Sequence, residues 1–176
     1  MRFAVAIAGL LSSCVFAATL EKLSVDQMAQ QSTMIVRGRI TGCVGEARSS
    51  VIYTRCSVAV TETWKGVPRS QVDFIVPGGR VRALSQTFTG TPKFNANEQY
   101  VLFLWIGRSG VPQIIGLSQG VFDVSVKIGG ETTVRREATA DVMLDSKGNQ
   151  VRDEAVALSM SDLRRQVDRA LAGGKQ

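Results

Sequence analysis

Two alternating runs, Met34 to Cys43 and Ile52 to Thr63, dominate the first third of the chain and predict two long strands. Between them, Gly45-Glu46-Ala47-Arg48-Ser49-Ser50 has turn character, so the pair reads as an antiparallel hairpin centred between Ser49 and Ser50. Gln71 to Val76 alternates again, with Val72, Phe74 and Val76 on one face, and Pro77-Gly78-Gly79 stops it. Tyr100 to Ile106 is apolar on both faces, the pattern of a strand buried on both sides. Gln113 to Leu117 is a shorter strand, and Val121 to Ile128 with Thr132 to Arg136 flank Gly129-Gly130 as a tight two-residue hairpin. A smaller hairpin is expected from Val142 to Leu144 and Gln150 to Arg152 around Asp145 to Asn149.

Helical periodicity is confined to two places. Ser24-Val25-Asp26-Gln27 is a capping box that opens a short helix to about Gln31, with Leu23 and Met28 placed to pack. Near the end, Leu163, Val167, Ala170 and Leu171 form one apolar stripe on a helix from about Met160 to Leu171, capped by Ser159 or Ser161. The chain is therefore mainly β. The expected fold is a small closed or partly open OB-like barrel with a short N-terminal helix, a C-terminal hairpin extension and a C-terminal helix. Its domain would span 18–176, with the barrel core at 34–128 and the extension at 129–172.

The first residues predict export. Met1-Arg2, the apolar run Phe3 to Leu11 and the small residues up to Ala18 are laid out as a secretory signal peptide, 1–17, cut after Ala17 or Ala18. Leu11-Ser12-Ser13-Cys14 also fits a lipobox, which would leave a lipid anchor at Cys14. No other run approaches the roughly 18 apolar residues of a spanning helix. A periplasmic or extracellular protein is expected, with the lipoprotein as the alternative. Export turns Cys43 and Cys56 into a disulfide pair, because both lie opposite one another in the long hairpin and thiols oxidise outside the cytoplasm. The inward positions of the two strands, Val36 and Ile40 against Ile52, Cys56, Val58, Val60 and Trp64, meet only if the register slips by one. A bulge at Gly42 or Gly45 would reconcile them.

Composition narrows the chemistry. None of the 176 residues is histidine, which excludes a Ser-His-Asp or Cys-His nucleophile and any His-ligated metal. Gly116-Leu117-Ser118-Gln119-Gly120 matches the Gly-x-Ser-x-Gly elbow, but a strand follows it where a helix is needed. The glycines are better read as permitting a bend. No lysine has a serine three residues before it, and Asp145 to Asn149 lacks the alternating acidic ligands of a calcium loop. No cofactor, metal site or catalytic set is expected. The acids Asp73, Glu98, Asp123, Glu131, Glu137 and Asp141 are scattered and leave a carboxylate-dependent hydrolase as the alternative.

Several segments together carry a resemblance. Met34-Ile35-Val36-Arg37-Gly38-Arg39-Ile40, Ile52-Tyr53-Thr54, Glu62-Thr63-Trp64-Lys65-Gly66, Val76-Pro77-Gly78-Gly79, Tyr100-Val101-Leu102-Phe103-Leu104 and Ser118-Gln119-Gly120-Val121-Phe122 resemble an uncharacterised family of small exported bacterial β-barrel proteins, over Met34 to Val124. More loosely, the same strand sequence is similar to the OB-type barrel of netrin modules and tissue inhibitors of metalloproteinases. That likeness implies a five-stranded barrel and no activity. Those inhibitors place a free N-terminal cysteine amine on zinc. Cys14, removed or acylated, cannot reproduce this.

Charge comes last. The 21 Lys and Arg, less Arg2, against 15 Asp and Glu leave the exported chain at +5. Nucleic acid is not the expected partner, because the chain is exported and the aromatics Phe74, Phe103 and Trp105 lie in apolar runs that suit a core. Arg80, Arg82 and Lys93 sit in a long polar loop, Pro77 to Asn97, and Arg135-Arg136 is a second basic pair. A loop of that length is more than a scaffold requires. Arg80, Arg82 and Lys93 are thus the candidate partner-binding residues of an exported, non-catalytic binding module that contacts a protein or other envelope component, an exported protease among the candidates. A purely structural, lipid-tethered envelope protein is a further alternative.

Overall fold

The structure, a computed structural model, describes residues 19–107, 110–126, 129–139 and 141–174. The elements run β1 (Thr19–Glu21), α1 (Val25–Gln31), β2 (Met34–Arg48), β3 (Val51–Lys65), β4 (Gln71–Pro77), β5 (Gly79–Val81), β6 (Leu84–Gln86), β7 (Gln99–Ile106), β8 (Pro112–Ile114), β9 (Val121–Val126), β10 (Thr132–Arg136), β11 (Val142–Leu144), β12 (Gln150–Val151), β13 (Val156–Ser159) and α2 (Met160–Gly173). The signal peptide and Cys14 lie outside the described residues.

Five strands form a ring. β7 pairs β2, β2 pairs β3, β3 pairs β4, β4 touches β8 in parallel through Ile75 and Gln113, and β8 returns to β7. A single-residue contact between β4 and β8 leaves the ring loosely closed there. It is a partly open, mainly β barrel, as the strand pattern predicts. Its interior is filled by Val36, Ile40, Val58, Phe74, Leu102 and Leu104, all almost fully buried.

The second edge of β7 is forked. Residues 99–102 pair with β9 and residues 104–106 with β8. At the fork the Phe103 N–H donates to Gly120 O, and the Ile115 N–H donates to Phe103 O. A methyl group at Gly120 would lie 2.8 Å from Ile115 O and 3.0 Å from Phe103 O, so only glycine lets the three chains converge. The Gly-x-Ser-x-Gly stretch is thus a branch in the sheet. Gln119 inside it is buried; its amide accepts from Leu23 N–H and donates to Glu21 O, clamping β1 and the start of α1 onto the fork.

Beyond the fork, β9, β10 and β13 extend the sheet, and α1 and α2 cover its outer face. There Met28, Ile35, Phe103, Phe122, Val134, Leu163 and Val167 build a second core, with Phe103 and Phe122 at 5.7 Å between ring centres. Ser24 and Gln27 form the expected capping box on α1, and Ser159 caps α2. β1 joins β11 in parallel, with β12 beside it, so the N-terminal strand is paired with the C-terminal extension.

Several expectations need correction. Gly45 to Arg48 are strand, not turn: only Ser49-Ser50 turns, because the ladder continues through Ala47 opposite Ile52 and Arg48 opposite Val51, with Glu46 reaching Arg55 across it. The β9–β10 register, Val126 opposite Thr132, centres on Gly129 and not between the two glycines, so the loop is longer than two residues. Trp105 is 40% exposed, because the end of β7 outruns the barrel core. β1, β5, β6 and β13 arise where no strand was expected; at three or four residues they carry too little periodicity to register.

Candidate functional site

The long hairpin builds one wall of the site. Cys43 pairs opposite Cys56, as its turn predicts, and the two form a disulfide with Cα atoms 4.1 Å apart. The register slips between Ile40 and Gly42, leaving Thr41 without a partner, next to one of the two glycines expected to carry the bulge. That slip brings Ile40 opposite Val58 inside the barrel. It also puts the disulfide at the barrel mouth: Cys56 is fully buried, whereas Cys43 reaches solvent.

The segment from Pro77 to Asn97 covers this mouth, and it is an ordered structure where an irregular loop was expected. β5 and β6 form a hairpin closed by Arg82-Ala83, with Arg82 at a φ of 53°. The Arg80 carbonyl lies so close to Gly45 of β2 that a Cβ there would overlap it, which seats β5 across the long hairpin. The Gln86 side chain accepts from Ile52 N–H at 2.7 Å, and Thr54 Oγ1 donates to Gly78 O at 2.7 Å. Further on, Phe94 plugs into the barrel, edge-on to Phe74 at 5.1 Å and to Tyr100 at 5.2 Å. The Tyr100 hydroxyl accepts from Asn95 N–H and donates to Glu98 at 2.8 Å. Burial, with the Glu98 charge beside it, pushes the Tyr100 hydroxyl up to about 12, while hydrogen bonds from Asn95 and Tyr100 hold Glu98 below the usual carboxylate range.

Between segment and barrel lies a cleft of about 520 Å³, a size typical of small binding sites. Val76, Phe88, Phe94 and the disulfide give it an apolar floor, and Thr54, Thr87 and Asn95 add polar groups. Arg80 and Lys93 line it; Arg82 does not, and belongs to the hairpin turn. No acidic residue is among the lining residues. Nor does any of the three cations form an ion pair among the described residues. Neighbouring cations differ: Arg55 and Arg48 both reach Glu46, whose carboxyl is held low mainly by the Arg55 hydrogen bond.

The second basic pair is not a surface. Arg136 is buried, bonded to Asp153 at 2.8 Å and to the Glu154 carbonyl at 3.0 Å, and Arg135 pairs with Glu137. Its proximity in sequence to Arg135 gave no sign of this, because Arg136 pairs across the junction with the C-terminal extension.

Of the six scattered acids, Glu98 and Asp123 share a hollow of about 270 Å³ beside Arg39. Desolvation, then Glu98 and Glu137, raise the Asp123 carboxyl. Asp123 stands exposed, however, and the Glu98 carboxylate is already engaged by Tyr100 and Asn95. Asp73 accepts from Ser57, Asp141 from Thr139, and Glu137 is paired with Arg135. Among the described residues, no group of three or more acids or cysteines is placed to hold a metal. Sequence reasoning missed Phe88 and Phe94 as parts of the site; the aromatic spacing in an otherwise polar loop was the available signal. Compared with known proteins, the chain matches no family model and no curated protein.

Proposed function

We propose that the protein is an exported binding module whose barrel-mouth cleft engages another protein or envelope component. The observation that carries this reading is the cleft itself: an apolar floor and two cations, Arg80 and Lys93, that have no ion-pair partner and no acid in the cleft lining among the described residues. A solubilising surface needs neither a hollow nor aromatic side chains turned into it. Phe88 is 39% exposed at the rim, where burying it against a partner would be favourable. Export is supported by the disulfide, since such bonds persist in oxidising compartments. No described helix is long and apolar enough to cross a membrane.

The test is capture from the protein's native envelope fraction. Arg80→Glu with Lys93→Glu is expected to reduce retention of a partner by about tenfold or more, while Arg135→Glu, at the already paired cation, leaves it unchanged. Equal retention of every envelope component by both variants would sink the assignment of the cleft.

A further inference from the structure

The rim of the cleft carries an open strand edge. Among the described residues β6 pairs only with β5, and no strand lies on its other side. Val81 and Leu84 close the two-residue Arg82-Ala83 turn. In a hairpin of this kind the closing pair exchanges its hydrogen bonds, and the next pair turns its backbone groups outward. Arg80 and Ser85 are that next pair. The Arg80 carbonyl accordingly faces Gly45 of β2, and Ser85 presents its N–H and C=O on the free side of β6. Ser85 is also a lining residue of the cleft. Exposed edges of this kind are templates for another strand.

Apolar groups flank the same edge. Leu84 is 69% exposed on β6, and Phe88, 39% exposed, follows β6 at the rim. Of these two, Phe88 lines the cleft itself. Charge selects the occupant: among the described residues Arg80 and Lys93 have no acidic counterpart, and the cleft lining holds no anion to attract a basic ligand.

Building on the cleft as the binding site, we propose that it receives an extended acidic segment of another polypeptide, added as a third strand beside β6. Ser85 pairs with the incoming backbone. One apolar side chain of the segment enters between Phe88 and Phe94, and its flanking carboxylates meet Arg80 and Lys93. Backbone pairing supplies affinity with little dependence on sequence, and the alternate pockets and charges supply selection.

The experiment measures binding of three heptapeptide probes to the mature protein by fluorescence anisotropy. The first is Glu-Val-Glu-Phe-Glu-Leu-Glu, the second replaces every Glu by Lys, and the third keeps the acidic sequence with N-methyl groups at alternate residues. The acidic probe is expected to bind. The basic probe and the N-methylated probe should each bind about tenfold more weakly or worse, and Arg80→Glu with Lys93→Glu should weaken the acidic probe by a similar factor. Arg82→Gly, at the turn outside the cleft, should change its affinity less than about threefold. Equal binding of the N-methylated probe would overturn strand addition, equal binding of the basic probe would overturn charge selection, and no binding of the acidic probe at millimolar concentration would overturn both. If the probes fail while charge reversal still abolishes envelope capture, the cleft remains the binding site and only the strand-adding peptide falls.

Discussion

The barrel mouth and the junction with the C-terminal extension both contain arginine, yet they use it in opposite ways. At the junction Arg136 is buried, faces Asp153, and reaches a backbone carbonyl. Asp153 in turn accepts from Thr139 N–H, so the pair ties three segments together. At the mouth Arg80 and Lys93 stand exposed over an apolar floor, with no acid opposite among the described residues. A buried charge without its partner is strongly destabilising, so the first arrangement holds the fold and tolerates no change. An exposed, unpaired charge contributes almost nothing to stability. Its position over a hollow is what the proposed binding role draws on.

The largest effect is therefore expected at the junction. Arg136→Met, which strands the Asp153 carboxylate, should cost roughly 3–5 kcal/mol in urea unfolding, with little effect on ligand capture by whatever remains folded. A cost under about 1 kcal/mol would break the distinction. Next comes the disulfide. Replacing Cys43 and Cys56 by alanine, which opens a loop of sequence separation 13, should lower stability by about 3 kcal/mol and also weaken capture, because both residues line the cleft.

Tyr100 sharpens the picture at the mouth. Its hydroxyl is pushed up to about 12 in the folded chain, against an ordinary value near 10, so the native state favours the neutral form. The stability this provides is complete below pH 10 and lost as pH rises from 10 to 12, by roughly 2–3 kcal/mol. Tyr100→Phe should lower stability at neutral pH by about 1 kcal/mol and remove that steep alkaline loss, read as urea midpoints across the pH range. The smallest stability effect belongs to Arg80→Glu with Lys93→Glu, within about 0.5 kcal/mol of the native chain, despite the loss of binding.

Local chemistry explains what was readable from the residues alone. The long hairpin and the Cys43–Cys56 pairing follow from a turn signal and a period of two, both of which act within a few residues. Two further register slips, at Ile35/Val36 and Arg37/Gly38, do not, and Trp64, expected inside the barrel beside Val58, lies in the second core. Both helices were marked by their serine caps and apolar stripes. What could not be read depends on contacts distant in sequence. Gln119 serves the N-terminal segment about a hundred positions away, and Gly120 is required by the approach of β7 and the chain after β8. At the site, Arg80 and Lys93 were visible as charges in a long loop, and the structure brings both to one cleft. Arg82 was indistinguishable from them until the hairpin turn placed it outside. The burial of Arg136 was equally hidden, because its partner lies 17 residues on.

The role of the mouth can be tested most directly by site-specific photo-cross-linking in the native envelope fraction, with p-benzoylphenylalanine in place of Phe88 at the cleft or of Val67 at the opposite end of the long hairpin. Both positions are exposed, at 39% and 69%. Binding at the mouth predicts a discrete adduct from position 88, absent from position 67 and lost when Arg80 and Lys93 are reversed in charge. A discrete adduct at position 67 with none at 88 would contradict it.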